Sequence, residues 1–242
     1  MSQFYVYEQA VGIGRADVAV VIDVLRATTS IATALHHGAV CVVPARTVAE
    51  ARELARRGGA DTRLAGERHG VPPRGFSLGN SPREFSRRRV GGQRIVLTTT
   101  NGTAALLAAQ SRARDVYTGS YVNFSEILAV VRSALRRELD VAIVCAGSEG
   151  RFSLEDTACA GRLVRLALHR LPGRGRVQLN DAARSALHIE KPYDEKLARL
   201  FQHADHGRTL RRLGFARDLA ACRALDAHPV VPHLVGRELV AL

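Results

Sequence analysis

The feature that most constrains this chain is an alternation: short, uninterrupted apolar runs rich in β-branched residues take turns with segments of helical period. Such runs suit strands buried on both faces, and the helices between them suit the crossovers that parallel strands require. Strands are expected over 19–22, 40–43, 62–65, 94–97, 115–118 and 141–145. A first helix is expected through Ile31, Ala34 and Leu35 until Gly38 ends it at a C′ position, with others over 48–57, 104–110, 125–137 and 157–169. Beyond Leu171-Pro172-Gly173 the pattern turns mostly helical, over 181–187, 194–202 and 215–226, before a Pro-containing tail. No low-complexity linker divides the chain, so 1–242 reads as one α/β domain, helix-richer from about residue 172.

At 242 residues such a domain buries a core that needs no covalent staples. Hydrophobic residues make up 46% and charged residues 24%, the balance of an ordered globular protein. A net charge of +12 and a pI near 10.6 raise the question of a nucleic-acid partner. All 35 basic residues except Lys191 and Lys196 are arginine, however, and they are spread along the chain rather than gathered on one segment. Aromatic residues, at 5%, are too few for a base-stacking platform. A basic nucleic-acid-binding protein therefore ranks last among the functional readings. Cys41, Cys145, Cys159 and Cys222 form no CxxC pair and read as reduced thiols. The start MSQFYVYEQA lacks the basic head and long apolar core of a signal peptide, and no run is long enough to span a bilayer. A cytoplasmic protein without a membrane partner is expected.

In open α/β sheets ligands bind beyond the carboxyl ends of strands, which directs attention to four strand-to-helix stretches. In Asp23-Val24-Leu25-Arg26-Ala27-Thr28-Thr29-Ser30 a carboxylate follows a buried strand and hydroxyls crowd a helix start. Asp23 can ligate a hard cation, act as nucleophile or cap helix N–H groups, and Arg26 can clamp an anion. The second stretch holds Glu67 among glycines, then Asn80-Ser81-Pro82-Arg83-Glu84, where Ser81 and Glu84 have capping-box spacing. Glu67 has no evident capping duty. The third, Thr98-Thr99-Thr100-Asn101-Gly102-Thr103, offers successive N–H groups and hydroxyls that can cradle phosphate oxygens, although it is no P-loop. The fourth runs Gly147-Ser148-Glu149-Gly150-Arg151-Phe152-Ser153-Leu154-Glu155-Asp156; Asp156 has capping-box spacing from Ser153, and Glu155 is freer to face the crevice. With Asp23 and Glu67, Glu155 supplies enough carboxylate oxygens for a magnesium ion that keeps several waters. The histidines, among them His36, His37, His206 and His228, show no ligand spacing and read as surface or capping residues. A GxSxG elbow is absent, and Leu25 stands where a DxD phosphatase motif needs an acid.

The blocks DVLRATTS, AGE, GFSLGNSP, LTTTNGT and CAGSEGRFSLEDTACAG, in this order, resemble the 2-phosphosulfolactate phosphatase family, and the likeness continues through Asn180-Asp181 to Asp218, Cys222, Asp226 and Val231-Pro232. The resemblance implies a three-layer α/β/α sandwich with a mixed sheet particular to that family. It also implies Mg²⁺-dependent hydrolysis of (2R)-phospho-3-sulfolactate to 3-sulfolactate, a step toward coenzyme M. Arg26, Arg68 and Arg151 would meet so anionic an ester, and another small phosphorylated or sulfonated hydroxy acid is the alternative substrate. The expected catalytic residues are Asp23, Arg26 and Glu67. Thr28, Asn80, Ser81, Thr99, Thr100, Asn101, Gly102, Thr103, Gly147 and Arg151 are expected to bind substrate, and Asp23, Glu67, Glu155 and Asp156 to hold the metal. A homodimer is the oligomeric expectation.

Overall fold

The computed structural model describes residues 2–169, 171–172 and 176–242, and Gly173, where the sequence pattern changes, lies outside them. Strands β1 (Ser2–Tyr7), β2 (Ala16–Ile22), β3 (Cys41–Pro44), β4 (Thr62–Gly66), β5 (Arg94–Thr98), β6 (Ala113–Gly119) and β7 (Val141–Cys145) alternate with helices through most of the chain. The helices are α1 (Ala27–His36), α2 (Val48–Gly58), a single turn α3 (Arg87–Val90), α4 (Gly102–Gln110), α5 (Phe124–Arg136) and α6 (Leu154–Leu168). The later part carries β8 (Val177–Leu179), α7 (Asp181–Glu190), α8 (Leu197–His203), α9 (Asp205–Arg212), α10 (Ala216–Cys222) and the hairpin β9 (Pro232–Val235) and β10 (Glu238–Ala241).

The strands form one sheet in the order β4-β5-β3-β10-β9-β6-β2-β7-β1-β8. Pairings within β4-β5-β3 are parallel, as are those within β6-β2-β7-β1-β8. Between the two blocks the hairpin makes three antiparallel pairings in succession: β3 with β10, β10 with β9, and β9 with β6. An odd number of reversals sets the blocks running in opposite directions. The carboxyl ends of β2, β4, β5 and β7 nevertheless reach one cleft, as the accumulated twist of so wide a sheet permits.

Both faces are covered, which makes the fold a three-layer α/β/α sandwich. Along β2, Val18, Val20 and Ile22 pack with Phe4, Ile143, Ile127 and Leu163, whereas Ala19 and Val21 face Ile31, Leu35 and Leu106 on the other side. Burial on both faces is why this strand has no polar alternation. A smaller cluster seats α2 through Ala51 against Cys41, Val43 and Val96.

The elements expected before residue 170 are present with ends moved by a few residues. Later expectations need correction. The helix expected over 194–202 begins only at Leu197, the one over 215–226 stops at Cys222, and the tail is a β-hairpin placed in the middle of the sheet. β1 stands outside the expected strands, although Ser2, Phe4 and Val6 are buried in strict alternation, the period-two signal of a strand. Among the described residues no helix is long and apolar enough to cross a membrane.

Candidate active site

Asp23 follows β2 directly and is 6% exposed. Its backbone N–H donates to the Thr28 hydroxyl at 3.0 Å, and that hydroxyl lies 2.8 Å from the carbonyls of both Asp23 and Gly119. Thr28 is thereby committed to holding the strand end and does not line the cleft. The Asp23 carboxylate accepts the Ala27 N–H at 3.0 Å, so part of the capping role is real. Burial is the larger influence: it lifts the Asp23 carboxyl to about 6, against the Ala27 bond that lowers it and with the Glu67 charge adding to the rise. A Cβ at Gly102 would stand 2.6 Å from Asp23 Oδ2 and 2.6 Å from the Ala27 Cβ, so only glycine lets α4 begin against this carboxylate.

A second pair of acids comes from the first turn of α6. Ser153 caps it, accepting the Asp156 N–H at 3.4 Å, but the Asp156 carboxylate accepts the Val24 N–H at 2.9 Å instead of completing a capping box. Burial pushes the Glu155 carboxyl up to about 7, with the Asp23 charge contributing, and raises Asp156 well above the usual carboxylate range, with Glu155 and Asp23 contributing. Asp23, Glu155 and Asp156 thus act on one another as a single buried acidic group. Glu67 has a different occupation: its oxygens accept the Thr100 N–H at 2.7 Å, the Gly70 N–H at 2.9 Å and the Thr100 hydroxyl at 3.2 Å. It fastens the loop after β4 to the loop after β5.

Arg26 is the buried cation of the site, 2% exposed. Its guanidinium donates to Asp218 Oδ2 at 2.7 Å and to the Gly70 carbonyl at 3.2 Å, and lies 4.3 Å from the centroid of the Phe215 ring. Asp218 accepts the Ser81 hydroxyl on its other oxygen at 2.7 Å. Ser81 therefore serves Asp218 rather than a capping box, while Glu84 accepts the Gly79 N–H at 2.9 Å. The Arg26 Nε donor is buried with no partner, and so is Asn80 Oδ1. Arg68 bonds the Glu67 carbonyl and the Thr98 hydroxyl at 2.7 and 2.8 Å and does not line the cleft.

The cleft measures about 200 Å³, smaller than the ~300–1,000 Å³ of drug-sized ligand sites, as suits a small metabolite. Of the expected residues, Asp23, Arg26, Glu67, Asn80, Thr100, Asn101 and Arg151 line it. Thr99 and Thr103 instead bond each other at the start of α4, Thr103 N–H to the Thr99 hydroxyl at 3.1 Å and Thr103 hydroxyl to the Thr99 carbonyl at 2.9 Å. Gly147 has φ +71°, and a Cβ there would lie 2.6 Å from the Arg151 carbonyl. Two matching turns form the rim: Arg68 and Val71 exchange backbone bonds around His69 and Gly70, as Ser148 and Arg151 do around Glu149 and Gly150. His69 and Glu149 have φ 53° and 51°, and the glycines that follow have φ 85° and 70°, a type I′ geometry in both.

His206, expected at the surface, enters the cleft from α9, lowered by burial first and then by the Arg26 charge. No local motif marks it. It arrives through a helix that the sequence did not reveal.

Comparison with known proteins identifies the family. The 2-phosphosulpholactate phosphatase family matches residues 6–237. A probable 2-phosphosulfolactate phosphatase of Symbiobacterium thermophilum is 44% identical over 227 residues, covering 93% of this chain and 94% of the relative. Proteins so described from Synechococcus sp. and Thermotoga petrophila are 42% and 39% identical, covering 98% and 90% of this chain and 97% and 89% of their own. The chain belongs to the 2-phosphosulfolactate phosphatase family.

Proposed function

We propose that this protein hydrolyses (2R)-phospho-3-sulfolactate to 3-sulfolactate and inorganic phosphate, with Mg²⁺ as its cofactor. The observation that carries the reading is Asp23, a buried carboxylate on the wall of a small cleft, whose charge acts on Glu155 and Asp156, buried outside the cleft's lining, in a chain that matches the phosphatase family over nearly its whole length. The donor set suits a hard divalent cation: these acids are buried together, and Arg26, the cation buried beside them, is already paired with Asp218. Asp23 and Glu155 would hold the ion, with Glu67 and Asp156 supporting them. When bound, Mg²⁺ offsets charge on the transferring phosphoryl group.

The remaining steps belong to the chain's own residues. Arg26, held by Asp218 and the Gly70 carbonyl on the wall of the cleft, meets the phosphate with its fixed positive charge, as fixed donors should in phosphoryl transfer. The N-terminus of α1 adds its partial positive charge on the same side. Arg151 on the rim meets the carboxylate or sulfonate, and exposure makes its contribution modest. His206, neutral near pH 7, accepts a proton from the attacking water.

The test is phosphate release from phosphosulfolactate and from a panel of phosphorylated hydroxy acids, with Mg²⁺ and after chelation. Release should be greatest with phosphosulfolactate, should stop with chelator and should return with Mg²⁺. Equal turnover after thorough metal removal refutes the magnesium role. Preference for an ester without the sulfonate moves the assignment to that acid.

A further inference from the structure

At the opposite end of α1 from Asp23, three histidines stand together. His36 ends the helix, His37 is its C-cap, and His228 comes from the segment between α10 and β9. One ring nitrogen from each can be chosen so that all three lie within 4.8 Å of one another, and the ring centroids are 4.8 to 5.3 Å apart. Their spacing in sequence hides this, because 191 positions separate His37 from His228.

The arrangement is held from the backbone. Gly38, at φ +88°, occupies C′, its N–H donates to the Leu35 carbonyl, and the Ala39 N–H donates to the Ala34 carbonyl, which together close α1 in a Schellman motif. The His228 N–H donates to the Val122 carbonyl at 2.8 Å, and the Asp226 N–H donates to that of Tyr121. His37 Nδ1 lies 2.6 Å from the Phe85 carbonyl, a contact that requires the proton on Nδ1 and leaves the Nε2 lone pair free. His228 Nδ1 is buried with no partner. Burial and the two neighbouring imidazoles lower His228 to about 4, so protons do not compete for its ring near pH 7. The partial negative charge of the helix C-terminus favours a cation there, opposed by exposed Arg87 near His36.

We propose that His36, His37 and His228 form a second metal site, for a borderline divalent ion such as Zn²⁺ or Ni²⁺, separate from the carboxylate cleft. Three neutral imidazoles without a carboxylate select such ions over Mg²⁺. Tetrahedral zinc brings ligand nitrogens to roughly 3.3 Å from one another at Zn–N distances near 2.05 Å, and the exposed ring of His36 can turn to close the gap. A water fills the fourth position. The site would tie the end of α1 to the segment before β9, two parts of the chain that share no strand pairing.

The test uses tag-free full-length protein and no substrate, so its result is independent of the phosphatase assignment. Melting temperature is followed as Zn²⁺ is added in wild type, His228→Ala, His36→Gln and Asp23→Asn, and Co²⁺ is bound as a spectroscopic probe. One equivalent should bind and raise the melting temperature by on the order of 5 °C at ~100-fold excess over Kd. Asp23→Asn should keep that rise and both histidine variants should lose it, with bound Co²⁺ showing a nitrogen-rich shell in wild type. His36 is exposed, so its variant decides the matter if His228→Ala fails to fold. No rise in wild type, a rise kept in His36→Gln, or a rise lost in Asp23→Asn each overturns the proposal.

Discussion

The two ends of helix α1 are about 15 Å apart for ten residues at 1.5 Å each, and they gather opposite chemistry. The N-terminal end collects buried oxygens, Asp23, Glu155 and Asp156, with protons held more tightly than usual. The C-terminal end collects imidazole nitrogens that hold theirs less tightly. Burial causes both shifts, because it disfavours charge of either sign. The difference shows how one environment prepares hard anionic ligands at one place and neutral, softer ones at another. The helix dipole adds an asymmetry: it favours an anionic substrate at the first end and a cation at the second.

The largest effect that can separate the ends is expected from Asp23→Asn. Asparagine caps about as well as aspartate, so the bond from the Ala27 N–H survives and the fold should stand. Activity should fall by ~10³-fold or more, about 4 kcal/mol of transition-state stabilisation, while the response to zinc persists. Activity within about tenfold of wild type would make Asp23 a capping residue and pass the leading role to Glu67.

A smaller effect is expected from Asp218→Asn, which leaves Arg26 buried beside a neutral partner. A loss of roughly 10²-fold in kcat/KM, or about 2.7 kcal/mol, is expected if Arg26 meets the phosphate. A drop in melting temperature with kcat/KM unchanged would assign the pair to stability alone.

The smallest effect is in the pH dependence of stability with metal removed, where the ends should oppose each other. Asp23 and Glu155 are lifted from 3.8 and 4.5 to about 6 and about 7, so the folded protein holds protons that the unfolded chain releases, and stability is lost as pH rises from about 4 to 7. His228 falls from 6.5 to about 4, so the unfolded chain takes up the proton first, and its contribution is lost as pH falls through that window. Asp23→Asn should therefore gain stability relative to wild type as pH rises from 4 to 7, and His228→Ala should gain as it falls. Parallel curves for all three proteins would remove the electrostatic contrast.

The first end of α1 was legible in the sequence because its residues lie in strand-to-helix blocks, where a carboxylate after an apolar run has few other reasons to stand. Position alone does not show which side chains line the cleft. Thr28, Thr99 and Thr103 have hydroxyls in the right loops, yet each is taken up by neighbouring backbone, and Ser81 and Glu84 have capping-box spacing but different partners. His206 and the triad of His36, His37 and His228 were invisible because tertiary packing, not spacing, brings them to their places. The sheet followed the same rule. Long apolar runs announced β2 and β7, whereas β9 and β10, four residues each around Gly236, carry too weak a local signal to place them between β3 and β6.

That placement sets the order in which the molecule can be completed during synthesis. β3 and β6 have no partner on their facing sides until residues 232–241 arrive, so each parallel block presents an open hydrogen-bonding edge while the later helices are being made. A nascent chain of this protein carries two templates for mispairing at once, and one short hairpin removes both. Chaperone dependence should fall on that interval of translation.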